Sequence, residues 1–439
     1  MFLLSLFKEV KRYLPNFSAL SALQIAQILR YGGWIMMGLL LTRCGMPLPQ
    51  IAIPEYVLLI SSFLSFFWVS GFVQYWLSSA PQTDTQDTYL FSLIFWVIAG
   101  SLLVSLIGFY MVYQRDIAGI PSVLFILSIP LGSLLDIIWY VRGKHNHLLV
   151  FSIAYAMLQS VLPLTGWLLF HHEEAVLWGM MITAAIKFLT TVISLEWGKI
   201  RSFDLNATKV FFLSSSPLLV SFFLSGIPEF SDAFIVQHFM RPEDFVHYRY
   251  GAREFPVMML VSATFSTAMV LAVSRGLDTG MQQIRQQSGR LMHLFFPLSV
   301  LLLFLSPFAY PFLFGKAFTP SVAVFNMYLL LAVPRLIFPQ AVLNGIKKHK
   351  IIMYSAALEL VANISFSLLL MPVLGLQGIA LGTVLAYCTD KLFLLGYLQR
   401  VEGISPTRYI PLRTYGLYIL FLLGAFIVQN LLFLTNEKG

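Results

Sequence analysis

Long apolar stretches follow one another along the chain, separated by short polar segments. Thirteen of them can cross about 30 Å of hydrocarbon as helices. They fall at 18–42, 53–78, 89–112, 118–140, 147–170, 175–197, 208–228, 252–274, 291–314, 321–345, 351–372, 376–398 and 412–434. The runs are continuous rather than alternating, which predicts helices and not a membrane β-barrel. Pro228 ends the seventh run and predicts a kinked continuation to about His238. Pro334 and Pro339 predict a bend in the tenth. The opening segment, MFLLSLFKEVKRYL, shows no small-residue cleavage site. It predicts a helix lying in the interface before the first span.

Composition sharpens the class. Of 439 residues, 58% are AVILMFWYC and only 11% are charged, against about 25% charged in soluble domains. Such a chain cannot cover a globule of this size with water-facing groups, so it reads as an all-α polytopic membrane protein. The net charge of +8 is spread over short loops with no dense basic tract, which argues against a nucleic-acid partner. Cys44 and Cys388 offer neither zinc spacing nor a disulfide framework.

With the N-terminus inside, seventeen of the 28 Lys and Arg residues fall in inner segments and seven in outer ones. The remaining four, Arg30, Lys187, Arg335 and Lys391, lie at membrane depth. This bias predicts an N-inside topology, and an odd span count then puts the C-terminus outside. A polar loop at 196–209 has six spans before it and six after it up to residue 400. The expected organisation is an N-terminal six-helix bundle over 1–200, a second over 201–400, and an additional C-terminal transmembrane segment over 401–439. No loop could hold a soluble catalytic domain, and GxxxxGK[ST], HExxH and GxSxG are all absent. We expect no enzyme, no catalytic residue, no metal and no cofactor. His171, His172, Glu173 and Glu174 read as a solvated turn.

The deep charges are the candidate chemistry, because a charge at the bilayer centre costs at least about 2.5 kcal/mol. Arg30 shares a polar stripe with Gln24 and Gln27 on the first span. It reads as a ligand-binding group facing a cavity, as a structural partner of an acid such as Asp136 or Asp232, or as a side chain snorkelling to an interface. Lys187 lies between Thr183 and Thr191 on one helical face, and Arg335 stands beside the prolines of the tenth span, followed by Gln340 and Asn344. If these positives converge, they suit a phosphate or diphosphate better than a cationic drug. The candidate coupling or ion-pair residues are Asp232, Asp136, Glu359, Asp390 and Lys391. Adjacent Asp390 and Lys391 are expected to point in different directions. Asp232, beyond Pro228, is the first choice for a role in switching.

The run PEFSDAFIVQHFMRPEDFVHYRYGAREF resembles the seventh and eighth spans of bacterial polysaccharide flippases, through Asp232, Tyr248 or Tyr250, and Ala252. Phe314 and Gly315 match the ninth-to-tenth junction, and LNGIKKHK the end of the tenth span. Asn363, Pro372, Gly375, Gly378 and Ala380 match the eleventh-to-twelfth junction. The chain therefore resembles the polysaccharide transport branch of the multidrug/oligosaccharidyl-lipid/polysaccharide exporter superfamily over most of 15–400.

That resemblance implies two six-helix bundles in a V-shaped alternating-access transporter, here with one extra C-terminal helix. It implies a bacterial inner-membrane flippase moving undecaprenyl-diphosphate-linked oligosaccharide to the periplasmic leaflet. The implied partners are that lipid-linked glycan and membrane lipids, with polysaccharide polymerase machinery as a candidate. The implied unit is a monomer, and coupling to Na⁺ or H⁺ is a further expectation. The alternatives are a lipid II flippase, a cation-coupled drug antiporter of the same superfamily, and a membrane polymerase or ligase, which would want a large outer loop.

Overall fold

The computed structural model describes residues 19–78, 83–115, 117, 119–195, 204–252 and 256–436. The expected interfacial helix at 1–14, most of the 196–209 loop and the terminal Gly439 lie outside them. Among the described residues the protein is all-helical, without strands. Twelve helices there are long and apolar enough to cross a membrane. They account for every expected run except the eighth, where a further helix, Pro256–Arg275, stands. Many large apolar side chains point outward, among them Leu106, Phe308, Phe312 and Leu420. That surface suits lipid and not water, and the protein is a multi-pass membrane protein.

The chain forms two compact units, residues 1–226 and 227–439. The sequence expectation put the division at 200/201. The first unit holds α1 (Ala19–Arg43), α2 (Leu48–Ser78), α3 (Thr83–Tyr113), α4 (Gly119–Val141), α5 (His145–Phe170) and α6 (Glu173–Ser194). The start of α7 (Leu205–Phe239) also belongs to it. Its helices carry many hydroxyls that bilayer hydrocarbon cannot solvate. Most turn back to a carbonyl one turn earlier: Ser128 donates to Leu124 O at 2.7 Å and Ser152 to Leu148 O at 2.7 Å. Helix α1 packs on α5, and α4 on α6. At the α1–α5 crossing, a Cβ on Gly33 would stand 3.1 Å from the Ala156 backbone. Glycine there lets the helices approach until Ser160 Oγ donates to Gly33 O at 3.1 Å.

The second unit takes the rest of α7, then α8 (Pro242–Gly251), α9 (Pro256–Arg275) and the 38-residue α10 (Leu277–Phe314). The tenth expected span is not one bent helix. It breaks into α11 (Thr319–Leu329), α12 (Ala332–Arg335) and α13 (Pro339–Gly345). Pro339 lacks an N–H, so it starts a helix instead of continuing one. The connection through Leu336, Ile337 and Phe338 is buried, which keeps the interrupted backbone away from lipid. Then come α14 (His349–Leu374), α15 (Leu376–Arg400) and α16 (Leu412–Asn436). Helices α14 and α15 form a close antiparallel hairpin. The short α8 is set by local chemistry: Pro242 opens it, and Asp244 Oδ2 accepts from Arg241 Nε at 3.1 Å.

Candidate functional site

In the first unit, three candidate charges meet. Asp136 on α4 and Lys187 on α6 are 4% and 5% exposed. Lys187 Nζ donates to Asp136 Oδ2 at 2.8 Å. Arg30 Nη1, from α1, stands 3.9 Å from the same oxygen, with its side chain 31% exposed. Asp136 Oδ1 has no hydrogen-bond partner among the described residues. Two cations thus share one carboxylate, leaving one net positive charge in the cluster. Of the two partners considered for Arg30, it is Asp136 that stands beside it.

Tyr155 and Gln159 of α5 complete this cluster. Lys187 Nζ lies 5.0 Å from the Tyr155 ring centroid. With its amide oriented to suit its neighbours, buried Gln159 donates to Arg30 O at 3.3 Å and accepts from Trp34 Nε1 at 2.8 Å. Thr183 and Thr191 share the Lys187 face, but both are fully buried and donate to their own helix, to Gly179 O and Lys187 O at 2.8 Å. Gln27 is half-buried and Gln24 exposed on α1.

In the second unit, Asp232 on α7 is 3% exposed and ringed by neutral donors. Ser367 Oγ donates to Oδ1 at 2.9 Å. Tyr248 Oη, at 3.2 Å, Asn363 Nδ2, at 3.3 Å, and Thr383 Oγ1 all donate to Oδ2. The Tyr248 hydroxyl also lies 2.6 Å from that of Tyr328 on α11. Asn363 Oδ1 accepts from Ser231 Oγ at 2.5 Å. Of the two tyrosines the sequence offered, Tyr248 faces the acid, while the Tyr250 carbonyl accepts from Tyr310 Oη at 3.0 Å. Ser367 owes its place to Gly382 on α15. A Cβ at residue 382 would lie 2.7 Å from both the amide nitrogen and the hydroxyl of Ser367.

A second polar group lies on α12, α13 and α15. Arg335 Nη2 donates to Tyr387 Oη at 3.3 Å, with the guanidinium 5.0 Å from that ring centroid. Asp390 and Lys391 do not diverge as their adjacency suggested. Lys391 Nζ curls back to Asp390 Oδ2 at 2.8 Å, and Gln340 Nε2 donates to the same oxygen at 3.3 Å. Consecutive helical positions differ by about 100°, and the long lysine stem spans that angle. Asn344, expected on the Gln340 face, instead pairs with His349 Nδ1 at 3.1 Å. Glu359 is half-buried on α14, one turn before Asn363. In the turn before α6, His172 Nδ1 accepts from Glu174 N at 3.2 Å and caps the helix.

Sequence reasoning missed Tyr155, Gln159, Trp34, Ser231, Ser367, Thr383 and Tyr328. A search for small polar residues one turn apart, such as Asn363 with Ser367, would have found part of the Asp232 ring.

No protein-family model matches the chain, and no curated protein matches its sequence. Solved structures match it by fold. A lipid II flippase, MurJ, in an inward closed conformation aligns with a TM-score of 0.66 at 16% identity, over 95% of this chain and 99% of that one. A multidrug resistance MATE family transporter of the MOP superfamily, inward-facing, aligns at 0.57 and 12% identity, over 88% and 99%. An outward-facing structure so described aligns at 0.51 and 12%, over 88% and 97%. The chain has the fold of these proteins, which are a flippase and transporters and not enzymes.

Proposed function

We propose that the protein is a flippase of the bacterial inner membrane, carrying undecaprenyl-diphosphate-linked oligosaccharide from the cytoplasmic to the periplasmic leaflet. One observation carries this reading: two deep cations, Arg30 and Lys187, share the single carboxylate of Asp136. The excess charge sits on Arg30, the partly exposed member. A guanidinium offers five donors in a planar fork and keeps its charge, which suits a diphosphate. Lys187 holds Asp136 in place, and Asp136 orients Arg30. The lipid tail stays in the bilayer throughout, so no bond is made or broken. The lowered barrier is the desolvation of sugar and phosphate. A drug-cation antiporter would want the opposite sign of excess charge.

The test is binding of a polyprenyl-diphosphate oligosaccharide to purified protein. Arg30→Ala should weaken it at least tenfold, and Arg30→Lys should retain a fraction. Wild-type affinity in a folded Arg30→Ala protein would refute the clamp. The fold likeness to a lipid II flippase supports a second reading, with lipid II as the cargo. Competition between lipid II and the oligosaccharide-bearing lipid for one site separates the two.

Coupling belongs to Asp232 in this proposal. Its ring supplies four uncharged donors to one buried carboxylate, so an entering Na⁺ or proton would supply the missing positive charge. The Ile379 carbonyl lies 3.4 Å from both the Ser367 and Thr383 hydroxyls. The group is rich in oxygen, the ligand that hard cations prefer. Flipping by Asp232→Asn that keeps the wild-type response to Na⁺ and pH would remove Asp232 from coupling.

A further inference from the structure

Between α10 and α16 the second unit carries a groove in two adjoining parts. The first is a cavity of about 420 Å³ lined by Gln282, Arg285, Gln286, Gly289, Arg290, His293, Pro411 and Thr414. The second, about 370 Å³, shares His293 and Thr414 and continues along Leu417, Tyr418 and Phe421. The α10 positions recur at helical spacing and so form one stripe. Polarity therefore changes along the groove, from a basic end to an apolar end.

Depth gives that gradient its meaning. At 38 residues, α10 is about 57 Å long, well beyond the about 30 Å of hydrocarbon. Its apolar run begins at 291, which leaves Arg285 and Arg290 in the head-group layer and His293 at the boundary. On α16, Leu417 and Phe421 lie about 7 and 14 Å along the helix from its start at Leu412, and both are exposed. No ion pair to Arg285 or Arg290 forms among the described residues. The nearby acid Asp278 is already engaged by Arg408. His293 Nδ1 is 2.6 Å from Tyr418 Oη, and Tyr418 stacks on buried Phe296 at 5.2 Å, so the groove wall is fixed at its centre. Gly289 carries no side chain to close the gap to Pro411, whose ring a Cβ would meet at 3.7 Å.

We propose that this groove binds an anionic phospholipid of the surrounding leaflet. The phosphate sits at Arg285 and Arg290, and an acyl chain lies along Leu417 and Phe421. Charge complementarity favours an anionic head group, and the continuous apolar extension favours a lipid over a soluble phosphate. The site lies on residues the flipping proposal does not use.

Native mass spectrometry of the detergent-purified protein, titrated with phosphatidylglycerol and phosphatidylethanolamine, tests this. The wild type should bind phosphatidylglycerol at least tenfold better. Arg285→Ala/Arg290→Ala should lose that preference, and Arg285→Lys/Arg290→Lys should keep most of it. Leu417→Glu should weaken lipid binding while thermal unfolding in lipid-free detergent stays unchanged. Equal retention of the two lipids, or an unaffected double alanine variant, would overturn the proposal. Displacement by inorganic phosphate at equal concentration would make it a phosphate site instead. Displacement by a polyprenyl diphosphate would make it a substrate site, and either result defeats the assignment.

Discussion

Lys187 and Asp136 close a 2.8 Å ion pair inside the first unit, and Arg30 addresses the same carboxylate oxygen from 3.9 Å. Removing Lys187 leaves a buried acid with one distant partner. Lys187→Met should lower unfolding stability by about 3–5 kcal/mol, and adding Asp136→Leu should restore most of it. Unfolding in detergent measures both. Arg30→Ala should cost much less, because its side chain is partly exposed. An equal loss in the two single variants would mean that Arg30 is structural.

Asp232 should tolerate neutralisation as a fold but not as a transporter. Asp232→Asn keeps the shape and can still accept hydrogen bonds. Folded yield should stay near wild type while ion-dependent flipping in proteoliposomes falls at least tenfold. Ser367→Ala and Thr383→Val should give smaller, graded losses, since each removes one donor among four.

Gly382→Ala should act on the same carboxylate from outside the ring. The added methyl must displace Ser367, whose backbone nitrogen and hydroxyl both lie 2.7 Å from its position. Overpacking of this kind costs about 1–3 kcal/mol. Transport should fall by more than that stability loss explains. Flipping in proteoliposomes and unfolding in detergent, measured on the same variant, separate the two effects.

Outside the membrane, Glu402 accepts from Tyr397 Oη at 3.0 Å and pairs with Lys348 Nζ at 2.8 Å. Bonding to Lys348 holds the Glu402 carboxyl below its ordinary value. A carboxylate depressed in the folded state contributes stability above the unfolded value, about 4.3. That contribution disappears as pH falls through the folded value. The melting-temperature difference between wild type and Glu402→Gln should therefore be constant from pH 7 to about 5 and shrink below about 4.

Topology offers an independent check. An inner N-terminus followed by thirteen crossings would place residue 439 outside. A periplasm-active reporter fused there should be active, and a cytoplasmic result would remove 412–434 as a crossing.

The helices were readable because hydrocarbon demands long apolar runs, and the deep charges because lipid penalises them. Their partners were less readable. Arg30 had two plausible acids in the sequence, and only the packing of α1, α4 and α6 puts Asp136 beside it. Ser367 and Thr383 look like Ser128 or Thr190, which merely bond their own helix. A hydroxyl that serves a distant acid carries no local mark. The tenth span shows the limit of proline reading. Pro334 and Pro339 announced a bend, but not that the chain would leave helical geometry through Leu336–Phe338.

The ring around Asp232 draws on α7, α8, α14 and α15, and through Tyr248 on Tyr328 of α11. Five helices are thereby tied at one carboxylate like ropes at a single cleat. Displacing any one helix strains the knot without undoing it. Changing the charge at the carboxylate slackens all the ropes together. A rearrangement begun there would run through the unit in one step, all-or-none in each molecule, so that rising ion concentration changes how many molecules have moved and leaves no series of half-moved helices.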